Sequence, residues 1–416
     1  MNVRRSAAAL AAVTVVLGAA VPAVAATAPP APPKAIPAGL YGTGDPTYDG
    51  VWRQSLALLA QHTTGVAPAD AAVTWLAGQQ CANGSFAAFR ADAAKPCDAK
   101  LTVDTNSTAA AVQALAALGG HSAETRKAVG WLKSVQNADG GWGYFPGGAS
   151  DANSTSVVAG ALTAAGQQPT GVKKAGKSPY DALLKLSLPC DRADGGAFAY
   201  QPDKKGGLAA NADATAAGVL GVLGKGFVTT AGTASPGDRA CHGSSAALTP
   251  GELARNGAAY LAGAVAHDGR LTSVLPGAAS RPDYGNTADA VVALAALGWT
   301  EQARKPLAWL EQNAAGWAKQ SGPAAYAQLV FAAHAMGADP RAFGGTDLVA
   351  QLNATGPAPR SAGKAAGATA SAEPKKADDS DGSGTGYSLW LIIGVFLVVG
   401  IGIGFLLSGR GRKQQP

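Results

Sequence analysis

The sequence predicts an all-α domain, a closed α6/α6 toroid of six inner and six outer helices, followed by one C-terminal transmembrane helix. Three features carry this: a capped apolar segment that recurs along the chain, an amphipathic segment that alternates with it, and an uncharged apolar run near residue 400.

The recurring segment begins Asp104-Thr-Asn-Ser-Thr108 and continues through Ala, Val and Leu to Gly119. Residues 151–166, 211–226 and 283–298 repeat it, with a threonine 11 positions before the closing glycine each time. A fifth copy ends at Gly337 and has Tyr326 where the threonine stands elsewhere. Asx and Ser/Thr side chains cap helix starts, and glycine ends helices by turning left-handed. The third copy is therefore expected to stop at Gly226. Between caps these segments are apolar on nearly every face, so each must be buried on all sides.

The alternating segments contain Trp75-Leu76, Trp131-Leu132, Tyr260-Leu261 and Trp309-Leu310, with charges such as Arg126, Lys127, Lys133, Arg304 and Glu311 along one side. That pattern suits an outer layer. An inner-type helix at 48–62 opens the domain and an outer helix at 340–353 completes it, giving twelve principal helices. No repeat can bury its own inner helix, but a ring buries all six. An open solenoid of helix hairpins is the alternative.

Residues 1–25 read as a signal peptide, with Arg4 and Arg5 before an apolar run and Ala23-Val24-Ala25 at its end. A proline-rich linker follows at 26–46, and the ectodomain spans 47–355. Residues 356–386, rich in Ala, Gly, Ser, Pro and Lys, are too polar for a core. As a flexible linker they reach roughly 30 Å. The transmembrane helix is placed at 387–408, where 389–407 hold no charged residue over 19 positions. At about 1.5 Å per residue that is roughly 28 Å, against about 30 Å of bilayer core. Arg410, Arg412 and Lys413 in the tail, 409–416, put the C-terminus in the cytoplasm. The expected protein is thus a single-pass cell-membrane protein with an extracellular domain. Five of its 33 basic residues lie in the end segments, leaving 28 against 27 acidic ones. That balance calls for no nucleic-acid partner.

Four cysteines in an exported region point to disulfides. Of three possible pairings, Cys81–Cys97 with Cys190–Cys241 is preferred, because each then closes a loop within one repeat. Asp238, Cys241 and His242 lack zinc-ligand spacing, and no metal or cofactor is expected.

Between an outer and an inner segment lies Trp131-Leu132-x3-Gln136-x3-Gly140-Gly141-Trp142. It resembles the glutamine–tryptophan repeat of the terpenoid cyclase and protein prenyltransferase superfamily, also called the prenyltransferase and squalene oxidase repeat. Weaker copies are Gln80-x3-Gly84-Ser85-Phe86 and Gln312-x3-Gly316-Trp317; those at 194–198 and 267–269 have lost the Gln. The resemblance covers residues 48–353. It implies an α/α toroid in which Gln136 and Trp142 tie neighbouring helices together. The cyclase Asp-x-Asp-Asp, the prenyltransferase zinc trio and the thioester Gly-Cys-Gly-Glu-Gln are all missing, so the resemblance argues against an enzyme. A looser similarity to the toroid of transcobalamin and intrinsic factor implies binding.

A ligand site is expected at the rim where the inner helices begin. Phe86, Phe89, Trp142, Tyr144, Phe198, Tyr200 and Tyr284 fall there. So do Asp104, Asn106, Asp151, Asn153, Asp213 and Asp283. Aromatic walls with a few placed polar groups describe a pocket, and helix N-termini favour anions. The competing role for each residue is a cap or a wedge of core. The expected function is a tethered binding module, capturing a small or extended ligand for a membrane partner such as an uptake system. A glycan hydrolase or lyase using rim aspartates is the alternative, since hydrolysis needs two carboxyls about 5 to 9 Å apart. A protein-docking scaffold is the third reading.

Overall fold

The computed structural model describes residues 36–361, apart from 234–238, 244–247 and 274–279. The expected signal peptide, the transmembrane helix, residues 26–35 of the first linker and most of the second lie outside the described residues. Among the described residues, no helix is long and apolar enough to cross a membrane.

The described chain is mostly helical. It opens with α1 (Gly50–Thr63) and α2 (Asp70–Gly78), then a ribbon of β1 (Phe86–Ala87) and β2 (Val103–Asp104). The pairs α3 (Thr105–Leu118) with α4 (Ser122–Ser134) and α5 (Ala152–Ala164) with α6 (Pro179–Leu186) follow. Next come α7 (Ala212–Val222) and α8 (Pro250–Ala266), then a second ribbon, β3 (Leu271–Ser273) and β4 (Arg281–Asp283). Then come α9 (Tyr284–Ala296), α10 (Thr300–Asn313), a short α11 (Ala315–Ser321), α12 (Pro323–Ala335) and α13 (Leu348–Asn353).

Two layers follow from burial. Eleven of the 14 residues of α3 are buried, whereas α4 buries only five of 13, among them Trp131 and Leu132. The buried helices α1, α3, α5, α7, α9 and α12 touch one another in that order, and α12 also touches α1. Each packs against the helix that outlines it on the outside: α2, α4, α6, α8, α10 and α13.

The caps work as expected. Asp104, Asp151, Asn211 and Asp283 accept backbone N–H bonds at 2.6, 2.6, 2.8 and 3.1 Å from the residue three positions on. The repeated threonine has a different job. The hydroxyls of Thr108, Thr155, Thr215 and Thr287 accept the N–H of Phe86, Trp142, Phe198 and Leu271, at 2.9 to 3.1 Å. Each threonine thereby ties the preceding loop to its inner helix and satisfies a buried donor.

Some expectations need correction. The helix α7 ends at Val222 and turns left-handed at Gly224 (φ 62°), not at Gly226. Gly119, Gly166, Gly298 and Gly337 do close the other copies. The short α11 is a thirteenth helix, and the last outer helix begins only at Leu348. The domain also reaches further at both ends. Leu40 and Tyr41 are buried, Gly42 N–H donates to Thr355 O at 2.8 Å, and the Tyr41 hydroxyl donates to Pro357 O at 2.9 Å. Apolar Leu40 and Tyr41 sit inside a stretch whose prolines read as linker.

Both disulfides form as paired from the sequence, Cys81–Cys97 and Cys190–Cys241. The second does not stay inside one insertion. It joins the loop after α6 to the segment before α8, so it encloses the whole of α7.

Candidate functional site

The site starts from the glutamine–tryptophan loops. Gln136 Nε2 donates to Gly140 O at 2.8 Å and to Val172 O at 3.2 Å, and Gln80 Nε2 donates likewise to Gly84 O and Glu124 O. Each Gln closes its own loop and ties it to the next repeat. Trp142 is fully buried, with its indole N–H on Leu132 O at 2.7 Å. Gly140 (φ 91°) lies so close to the N-cap of α6 that a Cβ would meet Ser178 O at 2.2 Å. These loops are structural joints.

The expected rim residues therefore separate. Phe86, Trp142 and Phe198 have no accessible surface and fill the wedge between helices. Phe89 stacks on Trp75 of α2 at 6.4 Å, and Tyr284 lies between Trp309 and Trp317 at 5.0 and 5.5 Å. Tyr144 and Tyr200 are half-buried above the inner-helix starts. Burial and neighbouring Asp104 raise the Tyr144 phenol's pKa; burial and neighbouring Asp151 and Asp213 raise that of Tyr200. Asp104, Asp151 and Asp283 serve as caps, and Asn106 is buried among them. At α3, α5 and α9 a cap carboxylate already takes a helix N-terminal N–H, and at α7 the Asn211 side chain does so.

Deeper, all six inner helices line one cavity. Its walls include Trp52 and Leu56 of α1, Gln113 of α3, Val157 of α5, Leu220 of α7, Val292 of α9 and Phe331 of α12. Counting space open to solvent it measures about 690 Å³, of which about 70 Å³ admits the centre of a water molecule. That is room for a few waters or a small ligand. Of the expected residues only Asn153 and Asp213 reach it; Asp289, Ser156 and Gln328 join them.

One side of the cavity is plugged. After the early stop at Gly224 the chain turns inward, and Phe227 packs edge-on to Trp52 at 5.4 Å and stacks with Phe331 at 6.4 Å. Gln113 Oε1 accepts the Phe227 N–H at 3.0 Å. The loop fits because Gly226 crosses Gly160 of α5: a Cβ on Gly160 would stand 2.7 Å from Gly226 Cα. The Gly-Lys-Gly-Phe sequence at 224–227 was the available signal, overlooked because Gly226 fits the repeat's spacing.

The other end is acidic. Asp213, two residues after the α7 cap, accepts Asn153 Nδ2 at 2.6 Å. Asp289, one turn further along α9, accepts Gln328 Nε2 at 3.2 Å. Burial pushes Asp213 up to about 7, helped by Asp283 and Asp151 and opposed by the Asn153 bond. It pushes Asp289 up to about 8, helped by Asp213 and Asp283 and opposed by Gln328. Burial likewise raises Asp104 and Asp151 to about 6. Among the described residues, no lysine or arginine acts on any of these four. Among the described residues, no group of three His, Cys, Asp or Glu side chains is placed to hold a metal ion.

No protein-family model matches the chain. Over 81 residues, 20% of this chain, it is 42% identical to the drimenyl diphosphate synthase of Streptantibioticus cattleyicolor, matching 14% of that protein's length. Solved structures similar to this chain include a protein from Actinoplanes (17% identity, TM-score 0.42, 66% of this chain and 76% of that one). Another is the ent-copalyl diphosphate synthase of Streptomyces platensis (17% identity, TM-score 0.45, 69% of this chain and 50% of that one). The chemistry of the cavity is set by its own lining residues.

Proposed function

We propose that this chain is a ligand-binding α6/α6 toroid, closed by the contact of α12 with α1 and tethered outside the cell membrane by residues 387–408. Its ligand site is the central cavity, with the aromatic rim loops acting as joints. One observation carries the reading: six helices converge on a space with apolar walls and a few polar groups at one end, the usual make-up of a small-molecule site. A diphosphate head at this end would face Asp213 and Asp289, so the relative's kind of product does not suit it. The test is a thermal-shift panel of small amphiphiles on the full chain and on Ala217→Trp, whose indole fills the cavity. A bound ligand stabilises by RT ln(1 + [L]/Kd). A shift in the parent chain that vanishes in the variant supports the site; no shift, or one that persists, overturns it. Retention of the full chain in washed membranes, and loss of a chain ending at 361, tests the tether.

A second reading, acid catalysis, draws support from carboxyls that keep a proton near neutral pH. Asp289→Asn separates the two: an enzyme loses nearly all turnover, whereas a binder keeps its fold and a measurable affinity.

A further inference from the structure

We propose that the cavity takes an organic cation, an ammonium head on a small apolar body, with the head held by Asp213, Asp289 and the side-chain carbonyl of Asn153. The inference rests on the binding reading above and names its ligand class.

Three observations place the head. Asp213 and Asp289 both line the cavity and are half-buried. Asn153 lines it too, is 1% exposed, and spends its amide N–H on Asp213, so its Oδ1 is buried without a partner. Asn153 Oδ1 is therefore an acceptor in want of a donor, set beside two carboxyls, and an unpaired buried acceptor is costly. Neighbouring charges give no internal answer. Asp151 and Asp283 on the adjoining caps are further acids, and Tyr200 lies beside Asp151 and Asp213. The one cation on the cavity wall, Lys225, follows the far end of α7. The helix alone separates it from Asp213 by about 13 Å at about 1.5 Å per residue. An ammonium group supplies up to three N–H donors and a positive charge at once. The body then lies against Val157, Leu220, Val292 and Phe331.

The experiment titrates the full chain with n-butylammonium, 1-butanol and butyrate, matched in size, by calorimetry or ligand-observed NMR. Butylammonium is expected to bind at least about tenfold tighter than butanol, the scale of one charge-assisted hydrogen bond, and butyrate not at all. Asp289→Asn and, separately, Asp213→Asn should each shrink the ammonium-to-alcohol ratio severalfold. Should either variant fail to fold, the ratio in the parent chain still decides. If butanol binds as well as butylammonium, or butyrate binds better, the cation assignment falls and the cavity reading stands. If none of the three binds, both fall.

Discussion

At the scale of single residues, the glutamine–tryptophan motif is explained by buried hydrogen bonds. Trp142 fills the wedge completely, and its two N–H groups go to Leu132 O and Thr155 Oγ1. Trp142→Ala is expected to cost about 3–5 kcal/mol in a denaturant melt, as for other large buried aromatics. Thr155→Val keeps the shape but leaves the Trp142 backbone N–H unpaired, which should cost about 1–3 kcal/mol. Thr155→Ser, retaining the hydroxyl, should recover much of that loss. The pattern of Asx, threonine and glycine was legible in the sequence because it is local chemistry. The threonine's partner was not, because it lies 13 to 22 residues away on a loop.

At the scale of elements, glycines within helices separate propensity from packing. Gly130 of α4 has nothing within 4 Å of a built Cβ, so Gly130→Ala should stabilise the domain by about 0.5–1 kcal/mol. Gly160 of α5 carries the same propensity gain, but its Cβ would press on the backbone of Gly226 and Lys225 at 2.7 and 2.9 Å. Gly160→Ala is expected to cost about 1–3 kcal/mol net and to push the Phe227 loop off the ring. Paired melts of the two variants check the opposite signs. Helix existence was readable from caps and periodicity, yet the early stop of α7 was not. It depends on Phe227 finding Trp52 and Phe331 on helices far apart in sequence.

At the scale of the whole molecule, buried carboxyls set how stability depends on pH. Asp104 and Asp151 are raised to about 6, Asp213 to about 7 and Asp289 to about 8, against 3.8 for the ordinary group. Between those values the folded chain holds more protons than the unfolded one, so stability falls as pH rises from about 4 to about 8. The melting temperature should therefore be higher at pH 5 than at pH 8, and Asp289→Asn should flatten the upper part of the decline. A flat or rising profile would show that the acidic end is more solvated than its geometry implies. The disulfides act on the unfolded chain instead. For separations of 16 and 51 residues, loop-closure entropy is worth about 3 and about 4 kcal/mol. Reduction should lower the denaturation midpoint, and Cys190→Ser with Cys241→Ser should do so more than the other pair.

The sequence by itself determined that the chain is mostly helical and which of its helices are buried on nearly every side. Those properties follow from caps, periodicity and spacing, each carried by residues near one another in the chain. Tertiary structure alone decided where the cavity lies. Rim aromatics such as Phe86 and Phe198 turned inward as wedge because each adjoins a cap threonine that takes its N–H. Asp289, which no cap pattern marks, entered the site because α9 brings it to the same space as Asp213 of α7 and Gln328 of α12. A cavity lined by six helices is a sum of contacts between residues up to 279 positions apart, and only the packed helices assemble it.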